Sequence, residues 1–250
     1  MTNAHAHRIA VVTGGAAGIG QAFAHRLALD GHRVAIADVA GAEETEDLVR
    51  RAGSAAFSMR CDVADGASVA AFADAVRERF GRCDVLVANA GIYPIAPFDE
   101  VTWEDWRRIM SVNLDSLFHL TKALLPAMRE AGWGRIVVMA SNGFHTGIPD
   151  LTPYVASKGG VIGFVRSLAG EIGDDGVTIN ALAPSLTRTA GTLAGPHEEL
   201  GWFHRVAAMQ AIKRTQEPAD LTGALSFLVS DQAAFITGQT LAVDGGAVRG

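Results

Sequence analysis

The chain has 250 residues, 49% of them hydrophobic and 19% charged, enough apolar mass for one sizeable core and not the composition of a disordered chain. A formal net charge of -6 and a pI near 5.7 leave no basic footprint for nucleic acid or anionic lipid. No run of about 18 apolar residues occurs, positions 1–8 are polar, and Cys61 and Cys83 alone suit neither a disulfide framework nor a metal site, so a cytoplasmic protein that spans no membrane is expected.

Ile9 to Thr13 reads as a short buried strand, followed at once by T-G-G-A-A-G-I-G, Thr13 to Gly20, and by a helical pattern through Phe23, Leu27 and Leu29. Strand, glycine-rich turn and helix in that order make a phosphate cradle. Glycines let backbone N–H groups approach a pyrophosphate, and the helix N-terminus adds donors and partial positive charge. The second strand, Arg33 to Ala37, ends at Asp38, whose carboxylate can hydrogen-bond both ribose hydroxyls of an adenosine and repels a 2′-phosphate. Neither Ala17 nor Val39 supplies a cation, which favours NAD over NADP.

Ala42 to Ala52 reads as a charged surface helix, Ala55 to Arg60 as a third strand leading to Cys61-Asp62-Val63, and Val69 to Phe80 as an amphipathic helix. Asp84 to Ala88 is a fourth strand leading to Asn89-Ala90-Gly91, and Met110 to Met128 reads as one long helix with Asn113 in its first third. The apolar run Arg135 to Ala140 is a buried strand ending at Ser141, which places a hydroxyl at the rim where open α/β sheets bind ligands. Next comes Tyr154-Val-Ala-Ser-Lys158, inside a helical pattern through Val161, Val165, Leu168 and Ile172 that puts Tyr154 and Lys158 on one face. A phenol, with an ordinary pKa of roughly 10, is a poor base at neutral pH. An ammonium one turn away favours the phenolate, and the same pair can return the proton in the reverse direction. Val177 to Leu182 gives a sixth strand running into Ala183 to Thr189, Leu221 to Val229 a helix, and Gln239 to Val243 a last strand. Strands alternating with helices predict an α/β fold, a Rossmann-type doubly wound parallel sheet of seven strands in a single domain over residues 1–250.

With these positions laid out, the sequence resembles the short-chain dehydrogenase/reductase family over its whole length. The resemblance rests on T-G-x-x-x-G-I-G at Thr13 to Gly20, Asp62-Val63, Asn89-Ala90-Gly91, Asn113, Ser141, Tyr154, Lys158, Pro184 and G-Q-T-L-A-V-D-G-G at Gly238 to Gly246. It implies a catalytic tetrad of Asn113, Ser141, Tyr154 and Lys158, with Asn113 supporting a water relay. It also implies NAD contacts by Gly14, Gly18, Ile19, Asp38, Asp62, Val63, Asn89, Ala90, Gly91, Tyr154, Lys158, Pro184, Thr187 and Thr189. A homotetramer is implied as well, its Asn113 and Tyr154 helices packed on those of a partner; Gly159, Gly160 and Gly163 fit such packing. Ala88 departs from the usual N-N-A-G, and Ser185 from the usual P-G. Within the family, phrases such as A-P-S-L-T-R-T and S-N-G-F are most similar to NAD-dependent enzymes acting on an alcohol attached to an aromatic ring.

The expected reaction is hydride transfer between a nicotinamide and a secondary alcohol, with a small-molecule alcohol or ketone as the partner. Substrate size is expected to be set by Tyr93, Ile95, Asn142, Phe144, His145, Leu151 and Val155. The segment at about 190–213, with Leu193, Leu200, Trp202, Phe203, Val206 and Met209, reads as a helical lid with an apolar underside. No metal is expected, because the eight histidines show no ligand spacing. Two rival readings stand beside this one: an NADP-dependent carbonyl or 3-oxoacyl reductase, and a non-catalytic dinucleotide-binding scaffold.

Overall fold

A computed structural model describes residues 8–249, so the polar start of the chain up to position 7 lies outside the described residues. Seven strands, β1 (Ile9–Thr13), β2 (Arg33–Asp38), β3 (Ala56–Arg60), β4 (Val85–Ala88), β5 (Gly134–Met139), β6 (Val177–Pro184) and β7 (Thr240–Val243), form one sheet. Their order is β3-β2-β1-β4-β5-β6-β7 and every pairing is parallel. The helices are α1 (Gly18–Leu29), α2 (Glu43–Arg51), α3 (Gly66–Phe80), α4 (Trp103–Met110), α5 (Ser116–Ala131), α6 (Gly143–Thr146), α7 (Thr152–Ile172), α8 (Ala190–Ala194), α9 (Trp202–Met209) and α10 (Ala219–Leu228). The chain is thus a single-domain α/β Rossmann-type fold.

Side chains alternate across the sheet with the period of two that a pleated strand imposes. Val11, Leu86, Ile136 and Val138 face a layer in which Phe72, Leu120 and Val165 of α3, α5 and α7 are buried. Val12, Val85, Val87 and Val137 face the opposite layer, with Phe23 and Leu27 of α1 and Leu221 and Leu225 of α10. Truncating one of the fully buried aromatics, Phe23 or Phe72, to alanine would cost about 3–5 kcal/mol. The winding direction reverses between β1 and β4, and that reversal opens a crevice at the carboxyl ends of these strands.

Two helices differ from the sequence reading. The helix expected from Val69 starts at Gly66, because the Asp65 carboxylate accepts from the Ala67 N–H and caps it. The single helix expected over Met110 to Met128 is instead α4, a π-helical stretch Ser111–Asp115, and α5. Its start at Trp103 is set by a capping box between Thr102 and Asp105. The π turn sits at Asn113, whose side chain is drawn to the backbone of Ile92: Ile92 N donates to Oδ1 at 2.8 Å and Nδ2 donates to Ile92 O at 2.9 Å.

Two of the three α7 glycines expected to pack on a partner, Gly159 and Gly160, meet side chains of this chain instead. A Cβ on Gly159 would come within 2.9 Å of the Phe144 ring, and one on Gly160 within 2.7 Å of Leu114, so both serve packing inside the chain. Gly163 faces open space.

Candidate active site

Four polar side chains expected from the sequence meet at the carboxyl ends of β4 and β5. Ser141 follows β5, and its Oγ accepts from Gly143 N at 3.0 Å and bonds the Tyr154 hydroxyl. One turn along α7 from Tyr154, Lys158 is 4% exposed and its Nζ donates to Met139 O at 2.7 Å. Asn113, buried in the π turn, also donates from Nδ2 to Ser157 Oγ at 3.0 Å, which ties it to α7. A Cβ built on Gly91 would lie 3.3 Å from Asn113 Oδ1 and 3.6 Å from Lys158 Nζ, so the loop after β4 borders the same space.

Burial governs the titration of the pair. It pushes the Tyr154 phenol above its ordinary value, the Ser141 hydroxyl pulls it back, and Tyr93 adds to the rise. Burial also brings the Lys158 ammonium down to about 8. The net direction differs from the one expected of this pair: burial raises the phenol, and the neighbour that favours the phenolate is Ser141. The ammonium stands 5.7 Å from the centre of the Tyr154 ring, over its face.

The glycine turn has the geometry of a cradle. Gly14 and Gly18 take φ of +63° and +59°, where side chains are strained, and a Cβ on Gly20 would meet Gly14 O at 2.0 Å. Asn89 shapes this turn, since its Nδ2 donates to Thr13 O and Gly14 O, both at 3.0 Å, while Asn89 N and Ala90 N reach Thr13 Oγ1. Ala88, the departure from N-N-A-G, is simply packed in the core. Ile19 lies in the first turn of α1, packed against the core. Asp38 accepts from Ala16 N and Ala40 N, both at 2.9 Å, and so ties the end of β2 to the turn. Sheet register places Arg60 beside Asp38, a cation that local sequence around the turn did not reveal, and no ion pair joins the two among the described residues. Beyond β3, Asp62 accepts from Ala64 N and Val63 is buried.

On the far lip, Pro184 O accepts from Asn142 N, and Thr187 Oγ1 donates to Gln216 Oε1. Ser185 donates from N to Gln216 and from Oγ to Gln210 Oε1. Gln210 and Gln216 are buried, which no sequence signal announced, since glutamine is ordinarily exposed. Thr189 caps α8 in a reciprocal box with Thr192, and a Cβ on Gly18 would touch Thr189 at 3.3 Å. A dinucleotide fits this donor set: glycine turn below a helix N-terminus, carboxylate at the end of β2, and Lys158 with Asn113 at the other end of the crevice.

Among the expected pocket residues, Tyr93 packs edge-on against Tyr154, with ring centres 6.1 Å apart. Leu151 is buried, while Ile95, Val155, Trp202 and Val206 are half-buried. Asn142 turns its amide towards Asp244 at 3.3 Å rather than into the pocket. Phe144 lies over Gly159, and His145 is exposed beside it. Of the six apolar side chains expected in the lid segment only Phe203 is buried, under the Arg188 guanidinium at 4.8 Å. Leu193, Leu200 and Met209 are exposed, so half of the apolar side chains expected on the underside of the lid face outward; α8 and α9 are two short helices joined by turns. His197, unnoticed in the sequence, is buried between them. A groove of about 730 Å³ between α3 and α5 contains none of these residues. Among the described residues no cluster of His, Cys, Asp or Glu could hold a metal ion, and no helix is long and apolar enough to cross a membrane.

Residues 14–248 match the family profile described as enoyl-(acyl carrier protein) reductase. The chain is 41% identical over 248 residues to cis-4-hydroxycyclohexanecarboxylate dehydrogenase of Sinomonas cyclohexanicum, covering 98% of each. Two solved structures superpose closely. Carveol dehydrogenase of Mycobacterium avium in complex with NAD gives a TM-score of 0.92 at 28% identity, covering 97% of this chain and 98% of that one. A variant of actinorhodin polyketide ketoreductase with NADPH gives 0.90 at 35% identity, covering 96% and 97%.

Proposed function

The chain belongs to the short-chain dehydrogenase/reductase family, an oxidoreductase family that uses a nicotinamide dinucleotide on alcohols and ketones, and from that premise we propose that it interconverts a secondary alcohol and its ketone with NAD(H). The observation that carries this reading is the convergence of Ser141, Tyr154, Lys158 and Asn113 at one rim of the sheet. The bound dinucleotide supplies hydride exchange at its nicotinamide. In oxidation Tyr154, as the phenolate, takes the proton of the substrate hydroxyl while the hydride would pass to the nicotinamide, and the Ser141 hydroxyl beside it orients the substrate and favours the phenolate. Lys158 Nζ is held by Met139 O, and from there the amine would hold the nicotinamide ribose. Asn113, held in the π turn by Ile92 and Ser157, would support a water relay to solvent.

Gly14, Gly18, Ile19, Asp62, Val63, Asn89, Ala90, Gly91, Pro184, Thr187 and Thr189 line the cradle in this reading. Asp38 disfavours a 2′-phosphate, which supports NAD. Arg60 in register beside it, and the NADPH of the ketoreductase, support the second reading, an NADP-dependent ketoreductase. The aromatic and aliphatic side chains around Tyr154, with residues 190–213 as a lid, support a bulky, ring-bearing substrate; the cyclohexane ring in the name of the 41% identical relative accords with this. The open face at Gly163 and the exposed Trp103 and Phe118 support a homotetramer packed through α4, α5 and α7. Initial rates for a panel of 1-arylethanols, acetophenones, cyclohexanols and 3-oxoesters with each of the two cofactors test the reading. Turnover of arylethanols or cyclohexanols with NAD supports it, and turnover of 3-oxoesters with NADPH alone replaces it by the second.

A further inference from the structure

One buried histidine has no part in the chemistry above. His197 lies between α8 and α9, 2% exposed, with Nδ1 3.0 Å from Thr192 O. A carbonyl only accepts, so Nδ1 carries the hydrogen and the ring plane is pinned. Thr192 is itself anchored, its Oγ1 donating to Thr187 O at 2.9 Å and its N to Thr189 Oγ1 at 3.1 Å. The imidazole meets Tyr93 at 5.8 Å and 66°, and Trp202 at 5.2 Å and 85°. Tyr93 in turn meets Tyr154 at 6.1 Å and 72°. An unbroken edge-to-face column therefore runs from the Tyr154 ring through Tyr93 and His197 to Trp202. On the α8 side Gly191 borders the column, since a Cβ there would make ordinary contact with the Tyr93 hydroxyl at 3.4 Å.

We propose that His197 is a specificity-determining residue that, with Tyr93, presents a rigid ring wall beside Tyr154 and selects substrates with a ring next to the reacting carbon over open-chain ones of equal carbon number. This inference rests on the dehydrogenase reading of the site. Ring contacts at these separations and tilts are worth more than their buried area alone. A flat ligand also loses few rotors on binding, whereas an open chain must be ordered against the same wall. Leucine could fill the volume of the imidazole but would not fix the tilt of Tyr93. The Thr192 bond fixes it, which explains why a histidine stands among aromatics here.

His197→Asn keeps a donor for Thr192 O and deletes the ring; His197→Phe keeps the ring and deletes the donor. With cofactor-loaded protein, kcat/KM for 1-phenylethanol against 2-octanol and calorimetric Kd for acetophenone against 2-octanone give the ring preference twice, once without turnover. In His197→Asn the preference should fall by about 2- to 10-fold, through KM and Kd rather than kcat, and His197→Phe should keep most of it. A purely structural histidine would lower both substrates together and leave the ratio unchanged. If His197→Asn does not fold, Tyr93→Leu removes the other half of the wall and should show the same fall. An unchanged ratio in the folded variant, or no ring preference in the wild type, overturns the proposal. Selective acetophenone binding without turnover of either alcohol would leave the wall standing and remove the dehydrogenase reading; turnover without ring preference would do the reverse.

Discussion

Replacing Lys158 by methionine should make the protein more stable while stopping turnover. The ammonium is 4% exposed, its one hydrogen bond goes to Met139 O, and no ion pair holds it among the described residues. Burial lowers it from 10.5 to about 8. Below about pH 8 the amine is charged in both folded and unfolded chains, and the folded one bears the full cost of burying it. Between about 8 and 10.5 the folded chain releases the proton while the unfolded chain keeps it, so stability rises with pH through that window. At about 1.4 kcal/mol per pH unit the burden at pH 7 is about 3 kcal/mol. Methionine matches the stem and carries no charge, and losing the bond to Met139 O takes back about 1 kcal/mol. The net gain of about 2 kcal/mol corresponds to a Tm higher by about 4–8 °C for a chain of this length. Urea unfolding of both proteins at pH 7 and pH 10.5 reads it directly. The variant should be the more stable at pH 7, with the gap closing at the higher pH. A Lys158→Met protein no more stable than the wild type at pH 7, or a gap indifferent to pH, would refute the argument that an unpaired buried charge is being carried there for function.

Tyr154→Phe should lower turnover by about 10²- to 10⁴-fold while cofactor fluorescence titration shows binding retained. Because burial raises the phenol, oxidative kcat/KM in the wild type should climb with pH on the alkaline side and the reductive value should decline; a flat profile would remove Tyr154 as the proton carrier. Gly20→Ala, which drives a Cβ to 2.0 Å from Gly14 O, should cost most of the cofactor affinity in the same titration. Asp38→Asn should shrink the ratio of NAD to NADP rates by weakening repulsion of the 2′-phosphate beside Arg60, and an unaltered ratio would show that discrimination lies elsewhere.

The central strands β1, β2, β4, β5 and β6 were legible because they are short, mostly buried apolar runs, and the interior of a parallel sheet permits little else. Ser141, Tyr154 and Lys158 were legible for a related reason: a strand end and an i, i+4 spacing fix directions in space from one dimension. The hidden features depend on contacts between distant segments. Nothing in S-V-N-L-D says that Ile92 will claim both ends of the Asn113 amide and widen the helix around it. Gly159 and Gly160 look like an outward stripe until Phe144 and Leu114 are seen in their place. Leu193, Leu200 and Met209 carry apolar side chains whose exposure depends on how α8 and α9 are turned, and the turn between them, with Gly201 at φ +67°, is not written in local periodicity. For His197 the one available hint was a histidine in a stretch otherwise destined for an aromatic cluster, just ahead of Trp202 and Phe203.

The wide turn at Ser111–Asp115 also sets the rotational phase between α4 and α5. An α-helix advances about 100° per residue, so excising one residue from this stretch would swing α4 by roughly that angle relative to α5. Trp103 and Trp106 would then be carried to another side of the molecule, and the Asn113 amide would be pulled from Ile92 in the same motion. Chimeras and shortened versions of this protein should therefore be spliced before Thr102 or after Ala131, where a change of length is absorbed by loop and not by rotation.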